Sequence, residues 1–311
     1  MISARWYYDL FTRFLFDASS YFYDMNTSLT WKLGARHRLT FRYFHSHDKL
    51  DFNSETYFNY LGNTFDTDLF ENYDFNYSTR WRNQAVSAVI KTIISPDIYW
   101  QTRIFYTAFT ANNLSLIDYE YTNEDNRTIK LYMETDIQGK IYDVGLKSKL
   151  DIHVCDWNQL KIGGEWNNYR FENDVLLNSF SEGKILLKPG HLAGFLENKI
   201  NIGFLFIRPG LRISRFSTQK KWNQEYRINA AYQLTSKVKL KAAWGKYLQY
   251  IVSINTQEYE LSQFLDTYYP LENKLPSASL QTIFGIETEL VKNIRLSLDF
   301  YHKNITRTYS Y

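Results

Sequence analysis

Between residues 142 and 154 the chain reads YDVGLKSKLDIHV, and its polarity switches at almost every step. One face carries Tyr142, Val144, Leu146, Ser148, Leu150, Ile152 and Val154. The other carries Asp143, Gly145, Lys147, Lys149, Asp151 and His153. A helix would spread these residues around its whole cylinder, whereas a strand places them on two opposite faces. The same alternation returns in 227–234, 238–245 and 294–303. There Ile294, Leu296, Leu298 and Phe300 oppose Arg295, Ser297, Asp299 and Lys303. The chain is therefore built to stand between two different surroundings, with strands as the separating wall.

Strand signals predict 13 strands, near 3–16, 20–33, 37–49, 83–95, 98–112, 139–154, 159–173, 190–200, 203–217, 223–235, 237–252, 278–290 and 294–307. Most exceed the roughly 9–11 residues that cross a bilayer, and the roughly 5–6 typical of soluble sheets. Short turns are expected at 34–36, 95–97, 155–158, 201–203, 235–237 and 291–293. Long polar connections are expected at 50–82, 113–138, 174–189 and 253–277. Segregation of short and long links to opposite ends is the habit of a transmembrane β-barrel with short periplasmic turns and long outer loops.

Composition narrows the alternatives. With 36 basic against 33 acidic residues the net charge is only +3, which argues against a nucleic-acid partner. A mean hydropathy of −0.43 and the lack of any uncharged apolar run of about 20 residues exclude a bundle of transmembrane helices. The single cysteine, Cys155, excludes an intrachain disulfide. The 8 Trp, 26 Tyr and 22 Phe suit a wall facing lipid on one side and water on the other.

The expected fold class is thus all-β, an antiparallel transmembrane β-barrel. Thirteen strands is an odd number, and bacterial single-chain barrels use even ones. Residues 1–20 carry Arg5, Asp9, Arg13 and Asp17, so they lack the apolar run of an export signal. The expectation is an incomplete barrel that begins partway through a longer parent.

Several segments resemble the barrel of TonB-dependent outer-membrane receptors. Arg208-Pro209-Gly210-Leu211-Arg212-Ile213-Ser214-Arg215-Phe216 resembles their "PGLRxxxF" strand, and Trp244-Gly245-Lys246-Tyr247-Leu248-Gln249 their "GxYxQ" strand end. Leu275-Pro276-Ser277-Ala278-Ser279, with Phe284-Gly285-Ile286-Glu287 and Asp299-Phe300-Tyr301-His302-Lys303 after it, is similar to the strands that follow in the family. Leu160-Lys161-Ile162-Gly163-Gly164-Glu165 resembles "lkxGgE", and Trp81-Arg82-Asn83 a "WxN" strand start. The order and spacing of these motifs hold from about residue 20 to 303. The resemblance implies a 22-stranded barrel in the cell outer membrane, filled by an amino-terminal plug and energised through the TonB complex. Residues 1–311 would be the partial barrel domain, with plug and terminal strands outside it. The implied partners are outer-membrane lipid, the TonB complex by way of that plug, and a small-molecule or oligosaccharide ligand.

Candidate chemistry is sparse. His45-Ser46-His47-Asp48 puts two imidazoles on one strand face, and Asp66, Asp68, Glu71 and Asp74 gather hard oxygens, but neither set has the spacing of a defined metal site. Solvated residues are the simpler reading of both. No G-x-S-x-G or H-E-x-x-H pattern occurs, and Gly163-Gly164 lacks the following helix of a phosphate loop, so no enzyme activity and no cofactor are expected. Trp31, Trp100, Trp157 and Trp166 are expected near strand ends at headgroup level. Lys147, Lys149, Arg208, Arg212, Lys239, Lys241 and Arg295 are expected to face the lumen. Ligand contact is expected in the long connections, through Tyr57, Tyr60, Asn63, Tyr119, Tyr121, Tyr259, Tyr268 and Tyr269, because loops on a rigid scaffold carry recognition and Tyr offers an amphipathic contact surface. The functional expectation is active uptake of a large scarce ligand such as an iron chelate, a vitamin or an oligosaccharide. A passive porin-like or structural barrel is the alternative, and a soluble β-rich binding module a third.

Overall fold

A computed structural model describes residues 2–4, 19–53, 72–122, 127–178, 180–253, 268–291, 294–307 and 309. The strands in chain order are β1 (Ile2–Ala4), β2 (Ser19–Leu33), β3 (His37–Phe52), β4 (Asn72–Ser95), β5 (Ile98–Thr122), β6 (Thr128–Cys155), β7 (Asn158–Leu177) and β8 (Phe180–Leu187). They continue with β9 (Gly190–Ile202), β10 (Leu205–Phe216), β11 (Asn223–Gln233), β12 (Val238–Gln249), β13 (Ile251–Ser253), β14 (Tyr268–Pro270), β15 (Ser277–Val291) and β16 (Ile294–Thr306). All pairings are antiparallel between sequence neighbours, apart from the steps over β8 and over the β13–β14 hairpin, so the wall is one long meander. The sheet runs from β1 to β16 without those two strands pairing: among the described residues it is an open wall.

The period-two reading holds in detail. Leu146 and Val144 are 40% and 43% exposed, while Gly145 between them is buried. The register carries this outward face across the wall. Leu146 stands opposite Ile104 on one side and Trp166 on the other, and Trp166 stands opposite Leu192. The other face holds Lys147, Glu165, Ala193 and Ser214 in register. It is the more crowded face, with Phe171, Phe216, Thr79 and Ser214 almost fully buried. On a curved sheet side chains converge on the concave side. The polar face therefore looks inward and the apolar face outward, as the alternation predicted.

The short turns fall where expected, with Gly34 (φ 76°) and Gly203 (φ 56°) in the left-handed conformation that glycine adopts at no steric cost. Register shifts at Ile93/Ser95, His153/Cys155 and Glu289/Val291 all lie at this end of the wall, where a bulge terminates pairing before a turn.

The long connections differ from expectation. β4 begins at Asn72, β5 continues to Thr122, β6 starts at Thr128, and β8 with the end of β7 forms a hairpin in 174–189. Tyr119 and Tyr121 therefore belong to β5 rather than to a loop, paired with Leu131 and Ile129. Backbone pairing continues past the membrane because an extended hairpin satisfies its own hydrogen bonds, and the polar composition of these segments hides that continuation. A second correction concerns Trp166. It lies mid-strand on the outward face of β7, level with Leu146, and not at a strand end. Trp31 and Trp157 do lie beside the short turns, both half exposed, with Trp100 close by.

Adjacent glycines on β7 test the two-faced wall directly. A Cβ on Gly163 would stand 2.5 Å from both the Phe195 ring and the Ser148 carbonyl oxygen, whereas one on Gly164 would meet nothing closer than 3.4 Å. Gly163→Ala is expected to destabilise the folded barrel by about 1–3 kcal/mol through overpacking and Gly164→Ala by much less, as measured by denaturant titration in detergent followed on gels by heat-modifiable mobility.

Candidate functional site

The inward face is a ladder of paired charges, set by register. Cross-strand neighbours carry opposite signs at Lys147 and Glu165, Lys161 and Glu197, and Arg212 and Glu225. Glu165 is reached by Lys147 at 3.0 Å and by Arg212, which also faces Glu225 at 3.3 Å. Glu197 gathers Lys161 at 3.1 Å and Arg227 at 3.4 Å, with Arg208 at 3.9 Å. Lys241 lies between Glu287 and Asp299. The lysines and arginines expected to face the lumen are thus on the inward wall, and most of them are neutralised there by acids, of which Glu165, Glu287 and Asp299 lie in the quoted motifs and Glu197 and Glu225 do not. Their signal was present all along, in acids alternating on the same strand face as the cations.

Toward the end with the long connections this ladder gives way to an aromatic cluster. Phe216 stacks on Tyr250 at 5.2 Å, with His191 at 5.5 Å from Tyr250 and Tyr169 at 6.2 Å from Phe216. Tyr250 and Ser214 share a 2.9 Å hydroxyl hydrogen bond. The chain after β12 does not leave the wall here but turns over its inward face. Thr218 donates through its hydroxyl to the Leu271 carbonyl at 2.7 Å, and the Gln219 amide donates to the Lys274 carbonyl at 2.9 Å. Leu271 donates its backbone N–H to the Tyr250 carbonyl at 2.8 Å, and Leu271 is 1% exposed. Farther across, Asn173 on β7 donates to the Tyr268 carbonyl at 3.3 Å, and Phe109 on β5 meets the Tyr268 ring edge-on at 5.9 Å. The β13–β14 hairpin therefore bridges from β10 to β5 across the mouth of the concave face.

Of the residues expected to contact ligand, Tyr268 and Tyr269 lie on this inward hairpin, opposite Ser253 and Val252. Tyr119 and Tyr121 lie at the outer end of β5. Tyr57, Tyr60, Asn63 and Tyr259 fall outside the described residues, as do Asp66, Asp68 and Glu71. His45 and His47 share the outward face, beside Tyr23, whose hydroxyl lies 3.1 Å from His45 Nε2. Asp74 is exposed and accepts from Asn76 at 3.0 Å. Among the described residues no group of three His, Cys, Asp or Glu side chains could hold a metal ion. Tyr250 and His191 were missed, and Phe216 and Ser214 were seen only as members of a strand motif, because the excursion after β12 that brings Tyr250 onto them gives no periodic sign of which way it folds.

No protein-family model and no curated protein sequence matches the chain. Solved structures do. The chain is similar to a variant of the ferric enterobactin receptor (PfeA) of Pseudomonas aeruginosa, at 12% identity and TM-score 0.52, over 93% of this chain and 51% of that one. It is similar to the ferric-catecholate import receptor Fiu of E. coli K12, at 9% identity and TM-score 0.58, over 93% and 52%. It is also similar to the outer-membrane transporter YddB of Escherichia coli, at 10% identity and TM-score 0.63, over 92% and 40%. The chain thus spans about half the length of the receptors it matches.

Two outcomes test this site. Glu165→Gln is expected to cost about 1–3 kcal/mol of stability, since it leaves Arg212 and Lys147 short of a partner, and adding Arg212→Met should recover part of the loss; denaturant titration of both variants checks it. In a Cys155→Ser background, Phe109→Cys with Tyr268→Cys is expected to crosslink with a short bis-thiol reagent, as resolved by mass spectrometry. The chain has the fold of the barrel wall of outer-membrane receptors and transporters.

Proposed function

We propose that the chain is part of the barrel of an outer-membrane receptor of the TonB-dependent kind, which takes up a bulky, scarce ligand. The observation that carries this reading is the inward hairpin. A wall of long strands with an ion-paired lumen could serve a passive pore, but here the β13–β14 hairpin is folded across the concave face, with Tyr268 held against β5 and β7 and Leu271 held by Thr218 just past the end of β10. That placement suits a mouth that grips a ligand rather than an open water channel. Aromatic hydroxyls beside paired charges suit an aryl iron chelate best, and an oligosaccharide or vitamin next. Two of the similar structures are receptors for ferric enterobactin and ferric catecholates, which supports the chelate reading. A plug and the TonB complex would then act through segments of the full-length protein beyond this wall, and Glu165, Glu197 and their cationic partners would form the surface against which a plug rests.

In cells, uptake of an iron-labelled tris-catecholate chelate is expected to require both this protein and the proton gradient. Tyr268→Ala with Tyr269→Ala should weaken chelate capture about tenfold or more, as loss of central aromatic contacts does, while heat-modifiable mobility stays unchanged. Chelate-independent ion conductance in planar bilayers, unaffected by that double variant, would favour the passive barrel instead.

A further inference from the structure

The rim of the wall has a step, and the step leaves a strand edge without a neighbour. β7 rises with β9 along its lower half, Asn158 to Asn168, and β8 along its upper half, Phe171 to Leu177. β8 and β9 therefore run as one descending line, broken at Lys188-Pro189. β10 pairs with β9 as far as Phe216 opposite His191, where the chain turns through 217–222 into β11 and climbs no further. Among the described residues β8 pairs with β7 alone. Its 8 residues, about 26 Å of strand, hold an unpaired row of backbone N–H and C=O groups above that turn.

Such an edge is a template for another extended chain. The upper end of β8 is blunted by a bulge, where the register shifts between Val175 and Leu176 and Gly183 takes a φ of 139°. The lower part, Lys184 to Leu187, is regular, and its one charge, Lys184, stands opposite Asp174. Ile185 and Leu186 are 43% and 46% exposed there, on opposite faces of the strand. Lipid does not account for Leu186, which shares a row with Glu172 and Lys140, beyond the apolar rows of Val144, Leu146 and Trp166.

The floor of the step is basic. Ser217 donates its N–H to the Gly190 carbonyl at 2.7 Å and accepts the Gly190 N–H on its hydroxyl at 2.7 Å, which seats the turn beside Lys188. Lys188, Arg215, Lys220 and Lys221 are exposed, and among the described residues none has a salt bridge. Of the acids around them, Glu172 is held by Arg170 and Glu225 by Arg212. Glu272, between the Leu271 and Asn273 that bond Thr218, is the one left to offset these four cations.

We propose that this step binds an acidic peptide segment, which adds to the edge of β8 as a further strand. Backbone hydrogen bonds supply the hold, the peptide's alternate side chains cover Ile185 on one face and Leu186 on the other, and its carboxylates reach the lysines below. A sugar or a lipid headgroup could answer the lysines but not the row of peptide groups, and that row selects a peptide. The site uses neither Tyr268 nor Tyr269 and is separate from ligand capture at the mouth.

Full-length protein in detergent is titrated with three capped eight-residue peptides. One alternates glutamate with valine, one has lysine for each glutamate, and one is the glutamate peptide methylated at every backbone nitrogen. The first is expected to bind at least about tenfold more tightly than either of the others, and to slow amide exchange within 183–187 as read by mass spectrometry. Lys188→Gln with Lys220→Gln and Lys221→Gln is expected to weaken it about tenfold, on the usual worth of exposed ion pairs, with heat-modifiable mobility unchanged. Absence of binding, binding that leaves exchange in β8 unaltered, or equal binding of the methylated peptide overturns strand addition. Equal binding of the lysine peptide, or an unaffected triple variant, overturns the acidic assignment.

Discussion

Everything in this molecule depends on backbone hydrogen bonding between antiparallel neighbours. In hydrocarbon an unpaired peptide group costs several kcal/mol, so a strand can enter the membrane only with a partner on each side. Once the ladder is fixed, side chains have no choice of face: each residue opposite another shares its face across the whole wall. A single register thus places Leu146, Ile104, Trp166 and Leu192 toward lipid and Lys147, Glu165 and Ser214 toward the interior. Among the described residues β1 and β16 each pair on one side only, and an edge of that kind is one that sheets complete with further strands or pay for in aggregation.

The inward wall shows how a polar surface is kept rigid without a packed core. Glu165 and Glu197 each collect two or more cations from neighbouring strands, and each cation reaches its acid from an adjacent or next strand. Such charges are partly shielded from water, so removing one partner is more costly than the net value of the pair. The network ties β6, β7, β9, β10 and β11 together across their side chains as well as through their backbones.

How much of this could be read from the amino acids depends on how local the signal was. The alternation in 142–154 and 294–303 is a property of consecutive residues, so strand, face and short turn were legible to within a few positions. The outer ends of β4 to β7 were not, because 113–122 carries apolar residues on both faces and 128–138 alternates in the opposite phase to 142–154, with Ile129, Leu131, Met133 and Ile137 on the odd-numbered face, so neither continues the pattern of the wall below. Tyr268 was named for its residue type, but its seat against Phe109 depends on contacts more than 150 positions apart in sequence. Tyr250 and Phe216 meet for the same non-local reason. Charge pairing lay between these extremes: the cations were placed by period, and their partners needed the register.

Strand length varies sharply around the wall. β6 has 28 residues and β5 has 25, whereas β11 and β12 have 11 and 12. At about 3.3 Å per residue, β6 runs for about 90 Å of chain against about 40 Å for its short counterparts. The rim is consequently lopsided, with a stiff hydrogen-bonded parapet on one flank and a low sill on the other. An arriving molecule meets backbone that cannot bend aside on the tall flank, so the direction of approach is dictated by architecture before any side chain is touched. A surface-binding phage or antibody would likewise find a fixed relief on that flank, with an outline set by the ladder itself.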